Sequence, residues 1–259
     1  AEASADADLK GVSDGLDRIK FPWTALDRDG LEEITGTRFY GRGVRAGGSA
    51  LVQPAAMMRG LAATLPYNVT LYEESPVTEL SNKGGFRLVC PEGIIEAKQV
   101  ILCTNLFAEE MGVFKHRIVP LATFASLTRQ LTDQEVAQVG SGGEFGLLPA
   151  NANGSTVRLT QDRRIFMRNS LHYAREKRFP PELMAEVENN HRQSIIRRWP
   201  DLAGVEFVGT WGGVLGFARN EGSVFGAVGD GLWALAAADT GPMTKGAIGG
   251  KLLAELICG

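Results

Sequence analysis

The chain has 259 residues, enough for one large domain or two small ones with a hydrophobic core. Apolar residues make up 44% and charged residues 22%, which is ordinary for a soluble globular protein. The net charge of −3 gives no electrostatic reason to expect nucleic acid or an anionic membrane as a partner.

Targeting and metal-binding signals are not found in the sequence. The longest apolar stretch, residues 231–238, is far too short to span a bilayer. The three cysteines are widely spaced, and the three histidines show no metal-ligand spacing, so we expect no metal site. Without a signal-peptide pattern, we expect a cytoplasmic protein.

The first half of the chain predicts short helices followed by a β-rich region. The expected elements are helices over 5–20, 25–36 and 55–65, a strand over 69–72, and an antiparallel meander over 76–80, 86–90 and 94–97. Residues 98–104 (KQVILCT) form an almost continuous apolar run. Such a run is typical of a strand that is buried on both faces in a parallel sheet.

The second half predicts long antiparallel strands and two helices. The strands are expected over 117–131, 156–173, 205–208, 224–225 and 232–236, with a hairpin tip at Asp162-Arg163. The helices are expected over 180–199 and 243–257. The mixture indicates an α+β (mixed α/β) fold.

Three motifs in a fixed order carry a family resemblance: GGSALVQPAAMMRGLA, then GIIEAKQVILCTN (93–105), then WGGVLGFARNEGSVFG (211–226) followed by GLWALAAADTGPMTKGAIGGKLLAEL (231–256). Together they resemble the FAD-dependent oxidoreductases of the D-amino-acid oxidase, glycine oxidase and sarcosine oxidase family, and in particular its γ-glutamylputrescine oxidase-like branch. The resemblance implies an FAD cofactor and a small-molecule amine or amino-acid substrate. Covering roughly residue 40 to the end, it also implies a partial FAD/NAD(P)-binding-type domain (46–110 and 205–259) and an antiparallel-sheet substrate domain (111–204), which follow the N-terminal helical segment (1–45) that the residue pattern predicts.

The resemblance also implies which residues contact the cofactor. The family brings a valine backbone against the adenine, at the position that matches Val77, and a Gly-rich loop and helix start against the flavin pyrimidine edge. The implied cofactor-binding residues are Val77, Ala238, Asp239, Thr240, Gly241, Pro242, Met243 and Thr244. The alternatives are a core valine and an ordinary C-terminal helix in which Gly246, Ala247, Gly249 and Gly250 are small for close packing.

Arg168 and His172 resemble the Lys-x-x-x-His pair of sarcosine oxidases, in which the cation promotes the reaction with oxygen. Four residues apart on a predicted strand, they are expected to face the same side; the alternative is a solvated strand face. Trp211 is either a wall of the flavin site or a core residue. Leu215 and Thr240 stand where glycine oxidase-like members carry carboxylate-binding arginines, a difference that favours an amine or a blocked amino acid as substrate.

The dinucleotide-binding fingerprint of the family does not occur in the sequence. GRGVRAGG (41–48) and GAVGDG (226–231) lack the strand–GxGxxG–helix context. We therefore expect this chain to be part of a longer FAD-dependent amine or amino-acid oxidase, to bind FAD weakly, and to need a missing N-terminal FAD-binding segment or a separate subunit. In the family, a hydride passes to the flavin and the imine product is hydrolysed. A non-catalytic or substrate-binding subunit of a two-chain oxidoreductase is the alternative.

Overall fold

A computed structural model describes residues 3–140, 143–151, 154–218, 220, 222–236 and 241–259. The residues group into two compact units. Unit 1 comprises Ala1–Leu51, Ala122–His172 and Arg178–Gly213, and unit 2 comprises Val52–Leu121, Tyr173–Lys177 and Val214–Gly259. Residues 100–104 and 243–257 both lie in unit 2. The functional domain boundaries near residues 45, 110 and 205 stay a prediction.

The fold is mixed α/β with several sheets. The helices are α1 (Ala3–Arg18), α2 (Arg28–Thr35), α3 (Pro54–Ala63), α4 (Asp133–Val136), α5 (Pro181–Arg198) and α6 (Pro242–Cys258), with 3-10 helices at Asn105–Met111 and Pro200–Leu202. The strands are β1 (Trp23–Leu26), β2 (Gly43–Ala46), β3 (Glu79–Asn82), β4 (Phe86–Cys90), β5 (Gly93–Ala97), β6 (Val100–Leu102), β7 (Ile118–Thr128), β8 (Phe145–Leu147), β9 (Thr156–Leu159), β10 (Ile165–Tyr173), β11 (Phe207–Ala218), β12 (Val224–Gly229) and β13 (Leu232–Ala236).

Unit 1 is built on an antiparallel sheet covered by α5. The strand order in this sheet is β11–β7–β10–β9–β8. Unit 1 includes β9, β8 and those parts of β11, β7 and β10 that lie within its residue ranges. The core side chains come from this sheet, α5 and the segment after α5: Leu131, Val139, Phe145, Val157, Leu159, Ile165, Met167, Ile195, Trp199, Leu202 and Val205. The predicted hairpin over 156–173 and the predicted helix over 180–199 are confirmed by β9–β10 and α5.

Unit 2 contains a small sheet in the order β12–β13–β6, and a meander in the order β3–β4–β5. The prediction that 98–104 contains a strand of a parallel sheet is confirmed, because β6 pairs in parallel with β13, and the predicted antiparallel meander is confirmed by β3, β4 and β5. The expectation that 98–104 is buried on both faces is only partly met, because Ile101 is 46% exposed. One buried cluster of unit 2 consists of Phe86, Val100, Leu102 and Ala234, and a second one contains Leu106 and Ile118.

Two predicted elements differ from the structure. Residues 69–72 form no strand, and no described strand lies beside them to accept their backbone hydrogen bonds. The predicted helix over 25–36 begins only at Arg28, because the Asp27 carboxylate accepts a hydrogen bond from the Gly30 N–H and caps it there. The residues just before it form β1, which pairs with β2.

Many apolar side chains of unit 2 are exposed. None of the α3 residues is buried. We call one group of them the exposed apolar residues of unit 2: Met57, Met58, Leu61, Leu65, Val69, Leu71, Tyr72, Ile101, Ile248, Leu252 and Leu256. Within the described residues, no helix is both long and apolar enough to cross a membrane.

Candidate active site

One face of the unit 1 sheet carries two arginines, and we call it the arginine face. Successive strand residues point to opposite faces, so Val157, Leu159, Ile165 and Met167 enter the core while their neighbours point away from it. The β9–β10 register places Arg168 opposite Thr156 and Phe166 opposite Arg158. The arginine face consists of Thr123, Thr156, Arg158, Phe166, Arg168 and Trp211.

Arg168 is held on this face by two threonine hydroxyls. Its Nε and Nη2 donate to Oγ1 of Thr156 at 3.2 and 2.7 Å, and its Nη1 donates to Oγ1 of Thr123 at 3.3 Å. Both threonines accept these bonds as neutral groups, so they orient the guanidinium without neutralising it. Burial, and secondarily the positive charge of Arg158, lower the pKa of Arg168, which stays protonated at neutral pH.

Aromatic rings lie beside the two arginines. The guanidinium carbon of Arg158 lies 5.6 Å from the centre of the Phe166 ring. Phe166 in turn lies 6.1 Å from the ring of Trp211, which is 47% exposed. Trp211 is therefore not a core residue, and the arginine face combines positive charge with accessible aromatic surface.

His172 does not share this face, and the expectation that it lies beside Arg168 is wrong. Its ring packs edge-on against Phe124 at 5.6 Å, and Phe124 is the strand neighbour of Thr123, so it points to the opposite face. Between Arg168 and His172, Ser170 has a left-handed backbone with φ 61°. A residue in this conformation interrupts the alternation of a strand, as in a β-bulge.

The helix-covered face of the same sheet contains a chain of polar side chains that the sequence did not reveal. Nδ1 of the fully buried His191 lies 2.7 Å from Oγ of Ser126, which lies 2.8 Å from Oγ1 of Thr210. Thr210 donates to a Glu188 carboxylate oxygen at 3.1 Å. Because the Thr210 hydroxyl donates to Glu188, its oxygen accepts from the Ser126 hydroxyl. The Ser126 oxygen in turn accepts from the Nδ1–H of His191. Nε2 of His191 then carries no hydrogen and is an acceptor with no described partner. Burial lowers the pKa of His191 to about 4, so the ring is neutral at pH 7.

The cofactor-binding residues implied by the resemblance lie in unit 2. Val77 is half-buried in an irregular segment just before β3. Ala238, Asp239 and Thr240 lie outside the described residues. Gly241 precedes α6, and Pro242, Met243 and Thr244 form its first turn.

In the sequence, α6 follows β13, which is one strand of a parallel pair. β6 and β13 run parallel, so their carboxyl ends meet at one edge of the sheet, where open α/β sheets bind ligands. None of the described side chains caps α6. Of the small residues in α6, Gly249 packs closely, since a Cβ there would lie 2.8 Å from Leu235, whereas Gly246 and Gly250 face open space.

Comparison with known proteins identifies the family. A profile of the family described as DAO, FAD dependent oxidoreductase, matches residues 3–256. The chain belongs to this family.

Two solved structures and one curated relative illustrate the likeness. Glycine oxidase from Geobacillus kaustophilus superimposes with a TM-score of 0.79 at 18% identity, over 99% of this chain and 68% of that one. Iminodiacetate oxidase from Chelativorans sp. BNC1 gives 0.71 at 19% identity, over 98% of this chain and 69% of that one. The probable oxidoreductase OrdL of Rhizobium meliloti (strain 1021) is 24% identical over 220 residues, or 83% of this chain. The chain spans about half of that relative, 49% of its length.

The residues of this chain fit one end of the FAD that the family implies. The start of α6, which no described side chain caps, has backbone N–H groups and a positive dipole end that would hold the flavin C2=O and N1, which carry negative charge in the reduced state. Gly241, with φ −112°, has the backbone conformation of an ordinary residue. No residues of the sequence correspond to the fingerprint that would hold the pyrophosphate.

The sequence did not point to Thr123, Thr156 or Arg158. Thr156 and Arg158 could have been found, because a hairpin tip at Asp162-Arg163 sets a register in which they face Arg168 and Phe166. Thr123 lies on β7, and its place beside Arg168 depends on a strand pairing that no local pattern specifies.

Proposed function

We propose that this chain is the larger, C-terminal part of an enzyme that oxidises the C–N bond of an amine or amino acid. FAD, when bound, accepts the hydride from the carbon that bears nitrogen. The imine product is hydrolysed. The arginine face supports this assignment most strongly, because a positioned cation favours the neutral form of a substrate amine, which is the form that can lose a hydride, and the accessible aromatic rings can pack against its carbon skeleton. Two structural relatives, a glycine oxidase and an iminodiacetate oxidase, support the same assignment by their names.

For the protein groups, we propose separate tasks in the two units. In unit 2, the first turn of α6 and the loop before it would bind the flavin pyrimidine, and Val77 the adenine. In unit 1, Arg168 takes the role of the lysine of sarcosine oxidases and promotes the reaction of the reduced enzyme with oxygen. Since His172 points to the other face of the sheet, it does not act beside Arg168.

We further propose that a dinucleotide-binding βαβ segment covers the exposed apolar residues of unit 2. Residues 69–72 have a strand pattern without a partner strand, and α3 has no buried residue. Burial of a Leu or Met side chain contributes about 1.5–3 kcal/mol, so a segment that covered several of them would be bound firmly. The γ-glutamylputrescine oxidase-like branch remains our proposal for the subfamily.

The intact mass of the native protein distinguishes one polypeptide from two. A longer polypeptide with a GxGxxG start would show that the segment is part of the same chain. A native chain of this size, copurifying with a flavin-binding subunit, would show a two-chain enzyme. A native chain of this size without flavin would favour the non-catalytic alternative.

Anaerobic mixing of the FAD-bound enzyme with a panel of amines, amino acids and alcohols tests the proposed reaction. We expect amines or amino acids to bleach the flavin absorbance and to yield ammonia or a shorter amine together with a carbonyl product. Bleaching by alcohols but by no compound with a C–N bond would contradict the proposal.

A further inference from the structure

We propose that Arg198 binds the phosphate or carboxylate group of a small organic anion in a cavity of unit 1. The site goes beyond the proposed oxidation reaction and does not depend on it, because no residue of the arginine face lines this cavity. Three features support it: a buried positive charge without a carboxylate partner, unused N–H donors on that charge, and a cavity that reaches them.

Arg198, in the last turn of α5, carries a buried charge. Among the described residues, the buried polar side chains are threonines, serines, the neutral His191 and Arg198, which is 7% exposed. A buried ion costs free energy unless an opposite charge accompanies it, and no described carboxylate lies within ion-pair distance of Arg198. Arg28, Arg45 and Arg197 also lack such a partner, but they are exposed, so water hydrates them.

The groups that hold Arg198 are all neutral. Its Nε donates to the Tyr40 hydroxyl at 2.7 Å, and its Nη1 donates to the Ser194 carbonyl at 2.8 Å. Its guanidinium carbon lies 4.2 Å from the centre of the Phe39 ring and 5.4 Å from that of Tyr40. Burial raises the pKa of Tyr40, so the phenol is neutral at pH 7. These contacts orient and partly stabilise the cation, but they do not neutralise it.

The same contacts leave donors of Arg198 unused. A guanidinium has five N–H groups, and Tyr40 and Ser194 accept from two of them. Both N–H groups of Nη2 and one of Nη1 therefore have no described acceptor. N–H groups on neighbouring guanidinium nitrogens match the oxygens of a carboxylate or a phosphate. Arg198 is thus a fixed donor group for an oxyanion.

A cavity of about 1570 Å³ in unit 1 reaches Arg198. Small-molecule sites have volumes of roughly 300–1,000 Å³, so an organic molecule fits. The charged lining residues are Arg42, Arg45, Arg197, Arg198, Glu33 and Glu144. Even though Arg42 also lies 3.6 Å from Asp6, the lining has more positive than negative charges, which favours an anion.

Much of the remaining lining is apolar, which favours an organic anion over an inorganic one. Apolar side chains of α1, α2, β1 and β2 line the cavity: Leu9, Leu16, Leu26, Leu31, Ile34 and Val44. A ligand with an aromatic or aliphatic body can bury that body against these side chains while its charged group bonds to Arg198.

The test uses phenyl phosphate as the probe, with benzyl alcohol and inorganic phosphate for comparison, at constant ionic strength. Binding to the 259-residue protein is measured by calorimetry. We expect phenyl phosphate to bind at least about tenfold more tightly than benzyl alcohol, which lacks the charge-assisted hydrogen bonds. Inorganic phosphate, which lacks an apolar body, should bind more weakly than phenyl phosphate. In nitrogen-15 spectra, phenyl phosphate should shift the Arg198 Nε–H resonance.

Variants separate Arg198 from positive charge in general. Arg198→Met, which has no charge, should weaken phenyl phosphate binding about tenfold or more. Arg28→Met, at an exposed arginine of unit 1 that does not line the cavity, should leave it unchanged. If Arg198→Met does not fold, Arg198→Lys, which keeps the charge but loses the planar fork, should still bind more weakly than the wild type.

Several results would overturn the site. These are equal binding of phenyl phosphate and benzyl alcohol, inorganic phosphate binding as tightly as phenyl phosphate, or an equal loss in Arg28→Met. The FAD-bound enzyme gives the last comparison, because phenyl phosphate should bind to it with unchanged affinity. Loss of binding there would show that the proposed covering segment fills the cavity, and the small-molecule site would then be wrong.

Discussion

Unit 1 and unit 2 differ in how completely they cover their apolar residues. In unit 1, the sheet and α5 enclose a continuous core that includes fully buried Ile165, Met167 and Val157. In unit 2, α3 has no buried residue, and Ile248, Leu252 and Leu256 of α6 are 63%, 44% and 57% exposed. Large exposed apolar areas on a folded protein indicate an interaction surface.

The difference indicates which unit can fold without further contacts. The unit 1 core is closed by residues of the same unit, and the buried Ser126 bonds within it to His191 and to the half-buried Thr210. Unit 2 has a parallel strand pair and the helix α6, but several apolar side chains of α3 and α6 are exposed. In our proposal, one dinucleotide-binding βαβ segment would both cover the exposed apolar residues of unit 2 and carry the pyrophosphate fingerprint.

The largest expected effect comes from matched leucine truncations in the two units. Leu202→Ala in unit 1 should lower the free energy of unfolding by about 2–5 kcal/mol, because it leaves a cavity in a closed core. Leu252→Ala in α6 should cost less than about 0.5 kcal/mol in this chain, since the side chain is already exposed. Urea unfolding followed by circular dichroism measures both. Equal costs would contradict the comparison, because Leu252 would then already be covered.

A second expected effect concerns pH and the core of unit 1. The folded-state pKa of His191, about 4, lies below the ordinary value of 6.5 because the ring is buried. The stability that the neutral ring contributes is fully present above pH 6.5 and is lost as pH falls from 6.5 towards about 4; the loss approaches about 3 kcal/mol. The difference in unfolding free energy between the wild type and His191→Gln, measured across this window, isolates the effect from the carboxylates. A pH-independent difference would show that His191 does not titrate in this way.

A third expected effect tests the cofactor end of unit 2. Among the described residues, the nearest atoms to a Cβ at Gly241 belong to the Lys245 and Thr244 side chains, at 3.7 Å, so we expect Gly241→Val to fold normally. In the FAD-bound enzyme, the added side chain would crowd the flavin, and we expect flavin content to fall about tenfold with little change in melting temperature. Gly204→Val, at a site open to solvent in unit 1, serves as the control. Full flavin occupancy and turnover in Gly241→Val would show that the helix start is only structural.

The smallest expected effect is on the reaction with oxygen. Arg168→Ala should spare flavin content and slow reoxidation of the reduced enzyme about tenfold, whereas Arg168→Lys, which retains a cation, should restore most of the rate. Stopped-flow mixing of the reduced enzyme with oxygen measures this step separately from substrate oxidation. Equal rates for Arg168→Ala and the wild type would exclude the role.

Local patterns predicted most elements of the fold. Three patterns depend only on neighbours in the chain: the apolar spacing of 180–199, the hairpin tip at Asp162-Arg163 and the apolar run at 98–104. The structure has the corresponding elements α5, the β9–β10 hairpin and β6. The strand over 69–72 was predicted wrongly for the same reason, since a strand pattern specifies an extended segment but not the partner strand that it needs.

The candidate site depended on less local features. A single left-handed residue, Ser170, separates His172 from the face of Arg168, and serine has no strong preference for this conformation that a pattern could detect. The chain of Ser126, His191, Thr210 and Glu188 joins three elements that are far apart in sequence. The arrangement could be found only from the packed structure.

Equilibrium titration of FAD into the 259-residue protein tests the central claim most directly. The account predicts weak binding, with flavin fluorescence and absorbance close to those of free FAD even at micromolar protein. The pyrophosphate fingerprint is absent from this sequence, and in our proposal the first turn of α6 would contact only one end of the cofactor. Sub-micromolar affinity with a perturbed flavin spectrum would contradict it, because these residues would then hold the whole cofactor without a covering segment.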